Sequence, residues 1–480
     1  MKRLHAGHLA DLPSTITAPG HAMPTRTGIV HFGPGAFHRA HQAAYIDAVL
    51  DHDPRWGIAA VSLRTRGTIA ALEEQGGAYT IGIRDAEPGW RVIAAHNRFL
   101  AADDAAETLA LLSSSDVGLV TSTVTEKGYC LAPDGTLDLA HPDIVHDLPG
   151  ASTPRSLIGW IVAGLAARRD ARIAPFVPMP CDNLANNGAK LHAALAAFAR
   201  LRDPDLARWI EGEVRVPGTM VDSITPASDA AFLDMAEAAL GRRDEAAVQR
   251  ETFVQWVIED IGRPLGPDLG AVGATITNDV AGYENAKLRL LNGPHSTLAY
   301  VGLLRGHASV AEAMGDAALA AFVEAMMTDE IAPMLRPVPG LDLADYIAAV
   351  LRRFRNPAIL HRLEQIAQDG SQKLPYRLVD TLSEARTRGL LPARICAALG
   401  CWIAFAMQRS RAGVPIIDPL GAAIADAAVE GDGSSVLGRL LAAGILLPPV
   451  LAQDDAVTHA IGAAADAAFA GRWDELGFAD

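Results

Sequence analysis

Residues 28–35 read GIVHFGPG, an apolar run that ends in two glycines, and a segment with helical periodicity follows from Ala36 to Leu50. This order predicts a strand, a tight turn and a helix. Glycines at such a turn let the backbone approach a pyrophosphate closely, and the free amides of the following helix favour its charge. Gly33 and Gly35 are therefore candidates for dinucleotide binding.

The third glycine of the usual dinucleotide fingerprint is absent, because His38 stands at its position. Glycine turns also recur without a ligand, so this motif alone is compatible with nucleotide binding or with a plain tight turn. The coenzyme is open as well. The predicted strand at 57–63 is followed by Arg64 and Arg66 instead of the usual ribose-binding acid; they could bind the 2′-phosphate of NADP or be solvated.

Strand candidates continue along the first half of the chain, with helical segments near 102–114 and 155–169 between the later ones. They are residues 79–83, 90–95, 117–123, 173–179 and 253–260. Alternating strands and helices predict a Rossmann-like, doubly wound α/β domain, in which these strands form a largely parallel sheet with the ligand at their carboxyl ends. Beyond residue 278 the periodicity is that of amphipathic helices, so we expect a dinucleotide-binding domain over 1–278 and a mostly α-helical substrate and catalytic domain over 279–480.

Composition excludes several classes of function. The 480 residues carry a formal charge of −15, which argues against a nucleic-acid partner because phosphate binding needs a basic surface. The four cysteines contain no Cys-x-x-Cys pair, so neither a disulfide framework nor a zinc site is indicated. No export signal stands out, and the longest apolar run, 440–452, contains two prolines and is short for a membrane span. We expect a cytoplasmic protein without a membrane partner.

Residues 284–296 read ENAKLRLLNGPHS and contain three groups suited to alcohol oxidation. Lys287 can accept a proton, Asn292 can donate an amide hydrogen bond and His295 can orient a hydroxyl. On an ideal α-helix the three side chains share one broad arc. Each alone is also compatible with a solvated lysine, a helix cap and a half-buried histidine. Pro294 predicts a kink or a fresh helix start here.

Polar side chains at three further positions in the sequence are each compatible with a functional role and with a structural one. Asn183 lies in an amide-rich loop that suits alkoxide or carbonyl binding, or it caps a helix from Ala189. Asp222 follows a Pro-Gly turn and could supply a carboxylate to the same cleft, or be a turn residue. Lys373 and Arg377 lie four residues apart and could reach an anionic or polyhydroxyl ligand, or form a solvated surface pair.

Taken together and in this order, these motifs resemble the polyol-specific long-chain dehydrogenase/reductase family, which includes mannitol 2-dehydrogenase and fructuronate reductase. The similarity extends from about Gly28 to Pro419. It rests on Gly33-x-Gly35-x-Phe37-His38-Arg39-Ala40-His41-Gln42, residues 123–129 (TVTEKGY), residues 181–184 (CDNL), residues 220–226 (MVDSITP), Lys287-x-x-x-Leu291-Asn292-Gly293-x-His295-Ser296 and Asp369-Gly370-Ser371-x-Lys373.

The resemblance implies a catalytic role for five residues. Lys287 matches the general base that takes the proton of a secondary alcohol. Asn183 and Asn292 match the amides that hold the alkoxide and carbonyl oxygen, which suits amides because their dipoles oppose negative charge without titrating. His295 matches a substrate-orienting residue, and Glu284 matches an acid beside a proton path.

Binding residues follow from the same resemblance. Asp222 and Lys373 match positions that contact the remaining hydroxyls of the substrate. Val221, beside Asp222, and Arg377, four residues after Lys373, are the other substrate-binding candidates. The coenzyme would be NAD, with NADP not excluded, and no metal would be needed. Its binding residues would be Gly33, Gly35, Ala36, Phe37, Arg64 and Glu126.

Assigning Lys287 as a base imposes a physical condition. A free lysine has a pKa of about 10.4 and is charged at neutral pH, so burial or positive neighbours must lower that pKa before the amine can accept a proton. We therefore expect the pH-rate profile of alcohol oxidation to have a base limb well below 10.4.

The expected function is NAD-dependent interconversion of a polyol such as mannitol with its 2-ketose, by hydride transfer. Gln365 and Ser223 replace arginines that occur in mannitol 2-dehydrogenases, and residues 365–377 are similar to the fructuronate-reductase branch. Reduction of a hexuronate, fructuronate to mannonate, is therefore an alternative, since basic side chains could bind its carboxylate. A non-catalytic nucleotide-binding protein is an alternative of another class. The oligomeric state stays open.

Overall fold

A computed structural model describes residues 2–85 and 87–478, without the side chain of Glu126. The chain divides into two compact units, Met1–Val280 and Ala281–Asp480. The first unit combines strands and helices, and the second is helical. This confirms the predicted fold class of a Rossmann-like α/β half followed by a mostly α-helical half.

The first unit contains twelve strands among its described residues. They are β1 Ile16–Thr17, β2 Thr27–Phe32, β3 Gly57–Ser62, β4 Tyr79–Ile83, β5 Gly89–Ile93, β6 His96–Ala101, β7 Leu119–Ser122, β8 Val177–Pro180, β9 Thr219–Asp222, β10 Val248–Arg250, β11 Gln255–Glu259 and β12 Thr275–Thr277. Its helices are α1 Ala36–Ala40, α2 Gln42–Leu50, α3 Gly67–Glu74, α4 Ala105–Ser113, α5 Pro142–Asp147, α6 Leu157–Asp170, α7 Asn187–Arg202, α8 Pro204–Glu213 and α9 Ala230–Leu240. Short 3₁₀ turns cover Ala6–Asp11, Pro54–Trp56, Glu126–Tyr129 and Gly270–Val272.

Five of these strands form a fully parallel sheet in the order β6-β3-β2-β7-β8. Its strands are rich in buried apolar residues because both faces of a parallel sheet are covered. One face packs on a cluster that contains Trp160 and Phe176, and the other on a cluster that contains Ile46 and Trp256. The order reverses at β2, which lies between β3 and β7, and such a switch point is where ligands bind in open α/β sheets.

The remaining strands correct two sequence-based expectations. The strands predicted at 79–83 and 90–95 lie outside the parallel sheet: β4 and β5 pair antiparallel in a second sheet of order β1-β5-β4-β10. The five-residue connection between them is too short for the crossover that a parallel pair requires. β9, β11 and β12 form a third sheet, and β6, which no pattern predicted, is one of the two edge strands of the parallel sheet.

The second unit is a helical assembly. Its helices are α10 Val280–Ala286, α11 Gly293–Leu304, α12 Val310–Gly315, α13 Ala317–Ala325, α14 Leu343–Phe354, α15 Leu363–Ile366, α16 Gly370–Leu374, α17 Asp380–Thr387, α18 Ala393–Arg411, α19 Gly421–Ala428, α20 Gly433–Ala442, α21 Pro449–Ala452 and α22 Asp455–Phe469. Short 3₁₀ turns cover Ala332–Met334 and Trp473–Leu476. Helix α18 is buried along most of its length and packs against α11, α19 and α22. Among the described residues, no helix is both long enough and apolar enough to cross a membrane.

Three π-helical segments interrupt the second unit, at Lys287–Asn292, Met326–Ile331 and Pro375–Val379. A proline lies inside or just after each, at positions 294, 333 and 375. A proline cannot donate the regular backbone hydrogen bond, and a π turn re-pairs the neighbouring groups from residue i to i+5. The break predicted at Pro294 is therefore a π segment that runs directly into α11, with Pro294 in the first turn of that helix.

Candidate functional site

The glycine turn of the first unit joins three strands at their carboxyl ends. Gly33 has φ +88°, and a Cβ there would lie 2.3 Å from the carbonyl oxygen of Thr123, just after β7. Its amide donates a hydrogen bond of 2.9 Å to the carbonyl of Val61 in β3. Only glycine fits both the positive φ and this close approach. Gly33 therefore holds the turn at the switch point of the sheet.

Gly35 has a different environment, which fits a nucleotide. It is exposed and lies just before α1, and a Cβ there would meet only the Gly33 carbonyl oxygen, at 4.0 Å. The space beside Gly35, next to the start of the helix at Ala36 and Phe37, is thus open, as a pyrophosphate cradle requires. These residues fit a dinucleotide cofactor.

Three buried histidines lie beneath the turn, and they explain why His38 stands where a fingerprint glycine was expected. Its ring stacks on His31 with centroids 3.4 Å apart, and its Nε2 lies 3.0 Å from Nε2 of His96. Burial lowers the pKa of His31 and of His96 to about 3 and holds the pKa of His38 well below its usual value. Because His31 Nε2 and the hydroxyl of Thr123 both contact the Gly33 carbonyl, at 3.2 and 2.6 Å, this neutral cluster supports the turn.

The two arginines after β3 differ in their surroundings. Arg66 pairs with Asp104 and lies 3.4 Å from Asp103. Arg64 is 80% exposed, and its Nη2 lies 3.4 Å from Asp143. Arg64 is thus better placed than Arg66 to contact a ligand at this sheet edge.

Asn183 is exposed in the loop after β8, at the same edge. The loop is tied to its neighbours: the amide of Cys181 donates to Ser122 at the end of β7, and the buried hydroxyl of Tyr129 donates to the carboxylate of Asp182. The alternative in which Asn183 caps a helix from Ala189 is wrong, since α7 starts at Asn187.

Asn187 has a structural role that no sequence pattern revealed. Its side chain accepts a hydrogen bond from the Thr219 amide and donates to the Thr219 carbonyl, both at 3.0 Å, which joins the start of α7 to β9. Val221 and Asp222 are buried at the end of that strand, where Asp222 pairs with Gln255 of β11. The side chain of Glu126 lies outside the described part of the chain.

In the second unit, Lys287 and Asn292 are the first and last residues of a π segment and both are half-buried. The amide of Gly293 donates to the carbonyl of Leu288, an i to i+5 bond. α-Helical spacing predicted that these side chains share one face of a helix. The observed turn is wider than an α-helical one, and Lys287 and Asn292 are five residues apart, the spacing of one π-helical hydrogen bond. Glu284 lies in α10, about one turn before Lys287, and is also half-buried.

Arg377 lies in the π segment 375–379 and contacts the neighbourhood of Asn292. Its Nη1 donates to the hydroxyl of Ser296 at 3.0 Å and approaches the Asn292 carbonyl oxygen at 3.4 Å. Its Nε is buried without a hydrogen-bond partner, and burial lowers the pKa of its guanidinium. Lys373 donates to the carbonyl of Gln368 at 2.8 Å, and burial, followed by Arg377, lowers its pKa. This arrangement contradicts the alternative of a solvated surface pair.

His295 completes this group. Its ring lies 4.7 Å from that of Phe354 and 5.3 Å from that of His361, and its Nε2 is buried without a hydrogen-bond partner. Burial, then the charges of His361, Arg353 and Arg377, hold the pKa of His295 well below its usual value. A neutral imidazole with an unsatisfied ring nitrogen can donate to, or accept from, a ligand hydroxyl. The second unit thus brings together Asn292, His295, Arg377 and Lys373.

Arg289 and Glu384 form an ion pair that sequence reasoning missed. Arg289 is buried in the middle of the 287–292 segment, and its two terminal nitrogens each lie 2.7 Å from one carboxylate oxygen of Glu384 in α17. The hydrogen bonds from Arg289 lower the pKa of the Glu384 carboxyl. Residues 95 apart in the chain give no local signal of such a pair.

Metal-ligating side chains also meet in the first unit. The ligand atoms of Cys130, His141 and Asp143 all lie within 4.8 Å of one another. Burial, then Asp143, raises the pKa of the Cys130 thiol to about 11. That the chain needs no metal therefore stays a prediction. All four cysteines are buried and free.

Two family models match the chain. One, described as the mannitol dehydrogenase Rossmann domain, matches residues 27–266, and the other, the mannitol dehydrogenase C-terminal domain, matches residues 279–465. The D-mannonate oxidoreductase of Escherichia coli (strain K12) is 37% identical over 446 residues, which cover 91% of this chain and 92% of that protein.

Two further relatives of the chain are mannitol 2-dehydrogenases. The mannitol 2-dehydrogenase of Cereibacter sphaeroides is 35% identical over 416 residues, covering 84% of this chain and 86% of that protein. A solved structure of Pseudomonas fluorescens mannitol 2-dehydrogenase, a ternary complex with NAD and D-mannitol, is 34% identical with a TM-score of 0.81. That comparison covers 99% of this chain and 98% of the solved one.

Proposed function

This chain belongs to the mannitol dehydrogenase family of oxidoreductases, and we propose that it interconverts a polyol such as mannitol with its 2-ketose, using NAD and Lys287 as acid/base. The observation that supports the proposal is the π segment, which has Lys287 and Asn292 at its two ends and lies three residues before His295, whose Nε2 is buried without a hydrogen-bond partner. A proton acceptor and neutral hydrogen-bond donors are what oxidation of a secondary alcohol requires.

Each residue has one step. The Lys287 Nζ takes the hydroxyl proton of the substrate, and the amide of Asn292 donates a hydrogen bond to the oxygen that becomes negative; Asn183 matches a second such amide by its motif. The bound nicotinamide supplies the hydride acceptor. His295 orients a neighbouring hydroxyl through its unsatisfied Nε2, and Glu284 passes the proton from Lys287 towards water. Val221 and Asp222 contact other parts of the substrate.

The cofactor would lie at Gly33, Gly35, Ala36 and Phe37, with Glu126 in the neighbouring loop. The open space at Gly35 supports this assignment. The choice of NAD over NADP is part of the proposal, and exposed Arg64 is the residue that would contact a 2′-phosphate. Titration with NADH and NADPH, for the wild type and for Arg64→Ala, tests it.

The experiment that tests the reaction is reduction of NAD⁺ in the presence of D-mannitol. Lys287→Ala should lower kcat by about 100-fold or more, as expected for loss of a general base. The pH profile of kcat should show a limb well below 10.4, the pKa of a free lysine. Unchanged turnover in Lys287→Ala would refute the mechanism, and a complete lack of turnover in the wild type with every substrate would favour a non-catalytic nucleotide-binding protein.

A second candidate, reduction of fructuronate to mannonate, is supported by the basic side chains of the second unit. Lys373 and Arg377 lie on adjoining helical segments with Arg353 and His361 nearby, and the buried Nε of Arg377 has no partner. Such groups suit a carboxylate. Comparing NADH oxidation with fructose and with fructuronate separates the two substrates.

A further inference from the structure

The 287–292 segment needs an external constraint. A π turn is rare and occurs mainly as a single turn inside an α-helix, often at functional sites. Here α-helix lies on both sides, α10 before the segment and α11 after it. If the segment returned to α-helical hydrogen bonding, its pairing would shift along the chain. Each residue of that shift would rotate Asn292 about the helix axis by about 100° relative to Lys287. The mutual orientation of the two side chains therefore depends on what holds the π turn.

Contacts to residues 375–387 hold it, among them the approach of Arg377 Nη1 to the Asn292 carbonyl oxygen at 3.4 Å. Gly293 lies against the Arg377 backbone, where a Cβ would be 2.9 Å from the carbonyl oxygen. The Arg377 side chain donates to Ser296. Arg289 forms its bidentate pair with Glu384 on α17, which directly follows the 375–379 π segment. Of these contacts, the Arg289 pair is the one made by a side chain of the 287–292 segment.

The ion pair is better suited to orientation than to stability. Leu290 and Leu291 already anchor the segment in the core, with 0% and 5% exposure. Burial of Arg289 costs desolvation, and Glu384 is 43% exposed, so solvent screens the attraction between the two charges. A bidentate guanidinium–carboxylate pair, in contrast, fixes the plane and direction of both groups.

From this geometry we infer that Arg289 and Glu384 are positioning residues: their bidentate pair keeps the 287–292 turn in π register and so aims Lys287 and Asn292 at the substrate. The inference rests on the proposed function, in which those two side chains carry the chemistry. Neither Arg289 nor Glu384 is assigned a contact with substrate or cofactor.

The test compares Glu384→Gln and Arg289→Met with the matched control Glu364→Gln. Glu364 is also about half-exposed and accepts a hydrogen bond of 2.9 Å from Arg409, away from the π segments. With D-mannitol and NAD⁺, or with mannonate if that is the substrate turned over, kcat should fall about 10- to 100-fold in the two test variants. The pH profile of kcat should shift, KM for NAD⁺ should stay the same, and Glu364→Gln should behave as the wild type.

Two further measurements distinguish positioning from simple loss of structure. Amide hydrogen exchange over residues 287–293 should accelerate in Glu384→Gln and not in Glu364→Gln, whatever the substrate. The double variant Arg289→Met/Glu384→Gln should be no slower than the worse single variant, because both changes remove one interaction. Arg289→Lys should recover only part of the rate, since a lysine cannot form the bidentate pair.

The inference would be overturned if Glu384→Gln had the kcat, the pH profile and the amide exchange of the wild type. It would also be overturned if the losses in kcat of the two single variants added up in the double variant. Lys287→Ala separates this failure from failure of the proposed function. If Lys287→Ala is inactive while Glu384→Gln is normal, only the positioning role is wrong. If Lys287→Ala keeps its turnover, the proposed chemistry itself is wrong.

Discussion

Gly293 lies directly against the backbone of Arg377, so close that a Cβ on Gly293 would be 2.9 Å from the Arg377 carbonyl oxygen. This contact joins the helix that carries Lys287 and Asn292 to the segment that carries Arg377. A backbone oxygen cannot move aside as the end of a flexible side chain can. Any side chain at position 293 must therefore separate the two π segments.

Gly293→Ala should lower both activity and stability, although alanine is favoured over glycine in a helix by about 1 kcal/mol. The clash with Arg377 outweighs that preference. Gly438→Ala is the matched control, because Gly438 is an exposed helical glycine with open space around it and should gain stability. Thermal unfolding and kcat of both variants check this; a stabilised, fully active Gly293→Ala would contradict the contact.

Changing Gly33 or Gly35 to alanine should have different effects on stability and on NADH binding. Gly33→Ala combines a positive φ with a 2.3 Å approach to Thr123, so it should lower the unfolding temperature and abolish NADH binding. Gly35→Ala meets no close neighbour, so it should fold normally and weaken NADH binding by filling the open space. NADH titration and thermal unfolding of both variants make the comparison, and tight NADH binding by Gly35→Ala would argue against the cradle.

The buried histidines should make the first unit acid-sensitive. His31 and His96 have a folded pKa of about 3, below the ordinary value of 6.5, so protonation favours the unfolded chain. The stability they contribute is complete above pH 6.5 and is lost as pH falls towards 3, by roughly 2 kcal/mol per histidine at pH 5. His38 acts in the same direction.

Urea unfolding of the wild type and His96→Gln at pH 7.5 and pH 5 measures this loss. At pH 7.5 the variant should have a lower free energy of unfolding than the wild type. At pH 5 this difference should be smaller by roughly 2 kcal/mol, because the variant lacks one of the titrating groups. For the control His459→Gln, at an exposed position, the difference in unfolding free energy from the wild type should be the same at both pH values. Parallel behaviour of His96→Gln and the wild type would show that His96 is not buried in its neutral form.

Lys373→Gln should discriminate between the two substrate classes. If the Lys373 and Arg377 side chains bind a carboxylate, kcat/KM for fructuronate should fall about 10-fold or more, as for loss of a charge-assisted hydrogen bond, while kcat/KM for fructose changes much less. Equal losses for both substrates would mean that Lys373 contacts a hydroxyl. Steady-state oxidation of NADH with each substrate provides the measurement.

Local features of the sequence predicted much of the first unit. The run from Gly28 into the turn at Gly33 is β2 and the glycine turn, because a continuous apolar run and glycine placement are local properties. The sheet assignment of residues 79–95 was wrong, since pairing depends on distant strands such as β1 and β10. The site residues themselves remain proposals, and their chemistry was inferred from motif order and not from geometry.

By itself the sequence determined the fold class, the position of the glycine turn and the family, because these depend on periodicity and on motifs that are contiguous in the chain. Only the tertiary structure decided the π register at Lys287–Asn292, the Arg289–Glu384 pair and the histidine cluster at His31, His38 and His96. The physical reason is that these features come from contacts between residues far apart in the chain. A long-range ion pair, a backbone contact at Gly293 or a stacked ring leaves no trace in local spacing.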